Sequence, residues 1–318
     1  VRDKANGLVG SASGVSFLVT SALSGLLVAW NGMLGVLWLA VGILVFSIIH
    51  LWFVRVPEKG ILHVEGQEPP SKKVDLKGTF RIVRQVPGLW ALILFSTFNN
   101  FLGGVFMALM DAYGLELMSV QAWGLLWAVL STGFIFGGLI IAKTGLGKNP
   151  LRTLLLVNVA MWSITILFPL QASVIMLAVG MLVYMYLIPY AEAAEQTILQ
   201  RVVPLERQGR VFGFAQSVEQ AASPLTAFAI SPIAQFIFIP FMTTGAGVGM
   251  IGSWFGTGVN RGIALLFILA AVIGLTASLL ALSSKYYRAL SAKYQESKQT
   301  GEADAPGINR AAQEGLVT

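Results

Sequence analysis

Gln200-Arg201-Val202-Val203-Pro204-Leu205-Glu206-Arg207-Gln208-Gly209-Arg210-Val211-Phe212-Gly213 is a polar hinge between two long apolar runs. The run before it carries Glu192, Glu195 and Gln196 near its end, and the run after it carries Glu219 and Gln220 among Ala, Phe and Ile. No other junction holds so much charge between two stretches that water would reject. A similar pattern opens the chain, where Lys4-Ala5-Asn6-Gly7-Leu8 leads into an apolar run much as Arg210-Val211-Phe212-Gly213-Phe214 does. Laid over each other, Lys4 falls on Arg210, Gly7 on Gly213 and Ser11 on Ser217, a hint of two related halves.

Composition places both runs in lipid. Hydrophobic residues make up 56% of the 318 and charged residues only 11%, with a mean hydropathy of +0.75. Soluble domains carry about 25% charged residues, so the sequence predicts an integral membrane protein. Its 34 glycines are spread through the apolar runs, as expected where helices pack closely in a bilayer. With no cysteine present, disulfides, thiolate metal sites and cysteine nucleophiles are excluded.

Runs of about 20 apolar residues, enough to cross a hydrocarbon core of about 30 Å, fall at roughly 7–29, 33–54, 89–113, 121–142, 151–170, 173–194, 211–241 and 262–284. The fold class expected is therefore all-α, a polytopic membrane bundle of about eight transmembrane helices. Pro224, Pro232 and Pro240 predict kinks, or an extra piece of helix, in the overlong seventh run. Of 21 basic residues, only Arg261 falls on the opposite side of an eight-span arrangement from the rest. By the positive-inside rule this predicts cytoplasmic ends and a multi-pass protein of the plasma membrane.

Residues 55–88 hold Pro57, Pro69, Pro70 and alternating charges and read as a cytoplasmic linker between residues 1–54 and a six-helix unit at 89–285. Within the linker, residues 74–86 read either as plain connection or as an amphipathic helix on the membrane surface, with Arg81 and Arg84 facing phosphates. Residues 286–318 read as a polar, disordered cytoplasmic tail, which from about Gln295 lacks the apolar content to fold. The chain opens on Val1 without a start methionine, so it reads as truncated or as begun from an alternative start codon, and its uneven two spans, linker and six spans become even if four further spans precede it.

This pattern resembles the major facilitator superfamily, in particular its drug:proton antiporter branch. Gln196-Thr197-Ile198-Leu199-Gln200-Arg201-Val202-Val203-Pro204 with Gln208-Gly209-Arg210-Val211-Phe212-Gly213 looks like that branch's loop between helices ten and eleven, and Lys143-Thr144-Gly145-Leu146-Gly147-Lys148 is similar to its basic Gly loop between helices eight and nine. The resemblance covers about residues 1–290 as helices five to twelve. It implies alternating access around a central cavity, efflux of small amphiphilic molecules and coupling to protons. One signature departs: where the branch has Gly-Pro and paired glycines on helix five, this chain has Thr20-Ser21 and then Ser24-Gly25.

Ionisable groups inside a membrane are costly and so are candidates for function. Glu219 lies about eight residues into its run, roughly 12 Å deep at 1.5 Å per residue. It reads as a proton-coupling carboxylate that water reaches from alternate sides, or as a hydrogen-bonded structural group. Glu192 and Glu195 share a helix face, and with Arg201, Arg207 and Arg210 they read as a salt-bridge latch for the inward gate. Asn99 and Asn100 near a midplane, with Phe95 and Phe98, and Tyr186 and Tyr190 on another run, read as the wall of a pocket for an amphiphilic substrate. The alternatives are amides that join helices and aromatics that only pack.

Enzyme chemistry finds no footing. His50 and His63 are too isolated for a dyad or a metal site, and Gly145-Leu146-Gly147-Lys148 is followed by Asn149 rather than the Ser or Thr of a P-loop. No cofactor, metal or nucleic-acid partner is expected. The expected partners are a small amphiphilic substrate, protons and lipid, with the protein a monomer. A non-transporting scaffold, or the permease subunit of a larger complex, is the rival reading.

Overall fold

In a computed structural model, residues 2–54 and 76–303 are described. Every regular element among them is helical: α1 (Arg2–Phe53), α2 (Leu76–Gln85), α3 (Leu89–Leu117), α4 (Val120–Thr144), α5 (Pro150–Leu167), α6 (Val174–Val202), α7 (Leu205–Ile233), α8 (Ile239–Thr243), α9 (Ala246–Met250), α10 (Gly252–Phe255), α11 (Val259–Ser283) and α12 (Lys285–Ala303). Seven helices among the described residues are long and apolar enough to cross a membrane. The first expected span, 7–29, runs as helix ahead of a break at Gly32, whose φ of 66° suits only a residue without a Cβ. The linker expected at 55–75 lies outside the described residues, as does the tail from 304 onward.

Short polar residues start the spans. Ser119 accepts from the Ala122 N–H, Asn149 from Arg152 with Pro150 next in line, and Ser173 from Met176, each satisfying a donor the helix leaves free. The overlong run resolves as α7, a π-helical turn at Ala234–Phe238 and then α8. Pro224 and Pro232 sit inside α7, and the wider turn falls directly after the second of them.

Two apolar clusters divide the core. One, at the end carrying most of the basic side chains, includes Val83, Leu89, Ile93, Ile141, Ile198, Val211 and Leu290. The other, at the opposite end, includes Tyr113, Trp123, Trp162, Phe168, Leu177 and Phe267. Between them lies a belt of α3, α6 and α7 that carries the polar residues.

Helix α1 packs on α4 and α6 through residues too small to hold them apart. A Cβ on Gly7 would lie 2.8 Å from the Ala142 backbone nitrogen, and one on Gly138 would lie 2.5 Å from the Ser11 nitrogen and 2.6 Å from the Gly7 oxygen. Backbones that close need glycine on both sides.

The tail departs from expectation. Residues 285–303 form α12 because Leu290 and Tyr294, four apart, bury one face. Asn149 Nδ2 donates to Ser291 Oγ at 2.7 Å and Gln295 Nε2 to the Lys148 carbonyl at 3.0 Å, docking the helix on the α4–α5 loop. Paired glycines can break a helix, yet α3 runs unbroken through Gly103-Gly104. Gly104 serves an approach instead, since a Cβ there would meet the Ser223 carbonyl of α7 at 2.5 Å.

Candidate functional site

The α3–α7 contact at Gly104 sets the belt's geometry. One turn back along α7 from Ser223, Glu219 is buried at 6% exposure. Its carboxyl lies beside that of Glu195 on α6, close enough for the two to interact, and its Oε1 has no hydrogen-bond partner. Ser96 Oγ of α3 donates to Glu195 Oε1 at 2.6 Å. Three helices thus converge on two carboxyl groups. Two buried carboxyl groups side by side are costly to ionise together, which makes the pair a candidate place to hold a proton.

Glu195 therefore leaves the role expected of it. Among the described residues no salt bridge joins Glu192 or Glu195 to Arg201 or Arg207. Arg201 lies six residues beyond Glu195, about 9 Å along the helix and some 240° around it, and so faces another way. Glu192 is exposed one turn before Glu195. Arg207 and Arg210 occupy the first turns of α7, and the buried Nε of Arg201 has no hydrogen-bond partner.

The basic end is instead closed by α1. Asn6 Nδ2 donates to Thr197 Oγ1 at 3.0 Å and to Gln200 Oε1 at 3.2 Å, and Gln200 Nε2 returns a bond to Asn6 Oδ1 at 3.3 Å. Arg2 donates to the Gln200 carbonyl, and Asp3 Oδ2 accepts from the Leu146 N–H at 3.1 Å. The start of the chain thus meets the start of the polar hinge, Asn6 against Gln200.

The six residues expected to form one pocket make separate contacts. Asn99 Oδ1 accepts from Trp162 Nε1 of α5 at 2.8 Å, so this amide joins helices. Asn100 donates to the Ser96 carbonyl within α3. Phe95 lines a small cavity near α12, and Phe98 is exposed. Tyr186 and Tyr190 pair with each other, their hydroxyls 3.2 Å apart.

A different cavity, about 230 Å³, opens between α3, α4, α5 and α6. Phe106, Met107, Met110, Trp127, Met181 and Met185 supply an adaptable apolar wall, with Tyr184 and Asp111 among its few polar groups. Trp123 Nε1 holds Asp111 in place with a 2.9 Å hydrogen bond. Met107 and Met110 are three apart and Met181 and Met185 four apart, a spacing that shares a helix face and was legible before the structure. Along α3 the cavity begins about 15 Å from Ser96, beyond the belt.

Long apolar helices around a buried polar belt define a polytopic helical membrane protein. The chain belongs to the Major Facilitator Superfamily, whose profile matches residues 1–227. A search of curated proteins found no match. As a member of that family it is a membrane transporter.

Proposed function

We propose that this transporter is a secondary carrier that exchanges protons for small amphiphilic molecules by alternating access, in the manner of drug efflux. The Glu195–Glu219 carboxyl pair, placed between two apolar clusters, carries the reading. A shared proton there joins α6 to α7, so its loss is felt by both helices. The cavity of Met and aromatic side chains offers a place for an amphiphile, with contacts that tolerate many shapes.

The seal that α1 makes at the basic end suits a state closed on that side and open on the other. By its charge, the basic end faces the cytoplasm of a plasma-membrane protein, and a monomer suffices for the cycle.

The test is transport by the full protein in proteoliposomes, with an imposed proton gradient and a fluorescent amphiphilic cation. Glu219→Gln keeps the shape and removes the exchangeable proton. Gradient-driven flux should fall at least about tenfold, equivalent to about 1.4 kcal/mol, while equilibrium binding of the probe persists. Unchanged driven flux would remove the pair from coupling.

A further inference from the structure

Helix α2 presents two unlike faces. Thr79 and Val83 are buried, Val83 completely, in the cluster at the basic end. On the other side Lys77, Arg81 and Arg84 are exposed together with Phe80. At 100° per residue these four fall within about 100° of arc, so the cations form a stripe with an aromatic at its edge. No carboxylate lies on α2, and none of the three cations makes an ion pair among the described residues.

Position supports a membrane role. A turn at Val86-Pro87-Gly88, closed by a bond from the Leu89 N–H to the Val86 carbonyl, joins α2 directly to the spanning helix α3. Helix α2 therefore sits where a span enters lipid. Phe80 packs edge-on against Trp90 in the first turn of α3 at 5.1 Å, and Trp90 stacks on Phe214 of α7. Aromatic rings of this kind favour the headgroup layer, where an apolar body and a wet surface meet. A stripe turned only to water would gain nothing from Phe80, which remains 43% exposed.

We infer that the Lys77–Arg81–Arg84 face of α2 binds the headgroups of anionic phospholipids. The two arginines can engage phosphate oxygens in bidentate fashion, and Lys77 adds a point charge one turn away. The buried face fixes α2 to α3 and α7, so a bound headgroup would hold the entry to α3 at a set depth.

The experiment uses the full chain in nanodiscs of phosphatidylcholine with increasing phosphatidylglycerol. An environment-sensitive fluorophore is placed at Gln85→Cys, which is free of background because the chain has no cysteine. The signal should saturate with phosphatidylglycerol and weaken with salt. Replacing Lys77, Arg81 and Arg84 together with Gln should reduce apparent affinity roughly a hundredfold, taking about fivefold per basic residue at a membrane surface. Replacing Lys143, Lys148 and Arg152 with Gln should leave the response at α2 in place. The proposal is overturned if phosphatidylcholine alone gives the same signal, or if both triple variants behave alike. Unchanged thermal unfolding of the α2 variant shows that folding is not what was lost.

Discussion

Arg261 Nη2 donates a 3.0 Å hydrogen bond to the Tyr113 hydroxyl, tying the start of α11 to the end of α3. The same guanidinium donates through Nη1 to the carbonyls of Pro169, Leu170 and Phe255 and lies 5.0 Å over the Phe255 ring. At 2% exposure it is a structural cation rather than a surface one. A guanidinium held by carbonyl dipoles after α5 and in α10 is stabilised inside the protein and does not meet the water that the positive-inside rule concerns, so Arg261 does not count against the charge asymmetry of the other basic residues.

Replacing Arg261 with Leu should therefore destabilise the protein by about 2–3 kcal/mol or more, because several buried acceptors lose their donor. Thermal unfolding in detergent, followed by tryptophan fluorescence, measures the loss. Arg261→Lys should fall between the two, keeping charge without the fork that reaches both Tyr113 and the carbonyls. Equal stability of the Leu variant and the parent would contradict the clamp.

The seal at the basic end should respond to acid through Asp3. Partial burial works to raise its carboxyl, but the backbone N–H groups of Leu146 and Lys4, together with the chain's terminal amino group, hold it below the ordinary value. For a depressed folded value, the ionised contact contributes above the unfolded value of about 3.9 and is lost as pH falls through the lower folded value. Spin labels at Lys4→Cys and Lys148→Cys should give a narrow distance distribution at neutral pH that broadens below about pH 4. In an Asp3→Asn background this acid-dependent broadening should disappear; the same pH curve in both would show that another group is responsible.

Filling the Met-lined cavity offers a third measurement. Met185→Trp should weaken binding of a fluorescent amphiphilic cation by about tenfold or more, equivalent to about 1.4 kcal/mol. Phe98→Ala should leave affinity nearly unchanged, because that ring is exposed and outside the cavity wall. The reverse ranking would return the binding site to the residues expected from sequence.

Spans were legible because a bilayer sets a length and excludes charge, so apolar runs such as 89–113 and 121–142 mark themselves. Glu219 stood out for the same reason, as a carboxylate where one is costly. Its partner did not. Whether Glu195 meets an arginine of its own region or a carboxyl of α7 depends on how α6 is rotated against α3 and α7, and the Ser96–Glu195 hydrogen bond is what records that rotation. Asn99 was equally ambiguous, since an amide near a midplane serves a pocket or an indole, and only the position of Trp162 chooses. Helix α12 escaped because Leu290 and Tyr294 are too few to suggest a core until the α4–α5 loop provides the surface they cover.

The close fit of Gly7 and Ser11 against Gly138 bears on motion. Interlocked side chains must withdraw past one another before two helices part, and that passage sets a barrier. Here, around Gly7 and Gly138, main chain rests on main chain, so at that point α1 can tilt away from α4 and return with few side chains in the way. A joint of this kind favours quick, repeated rocking over a tight grip, which is what a carrier that resets with every solute molecule requires.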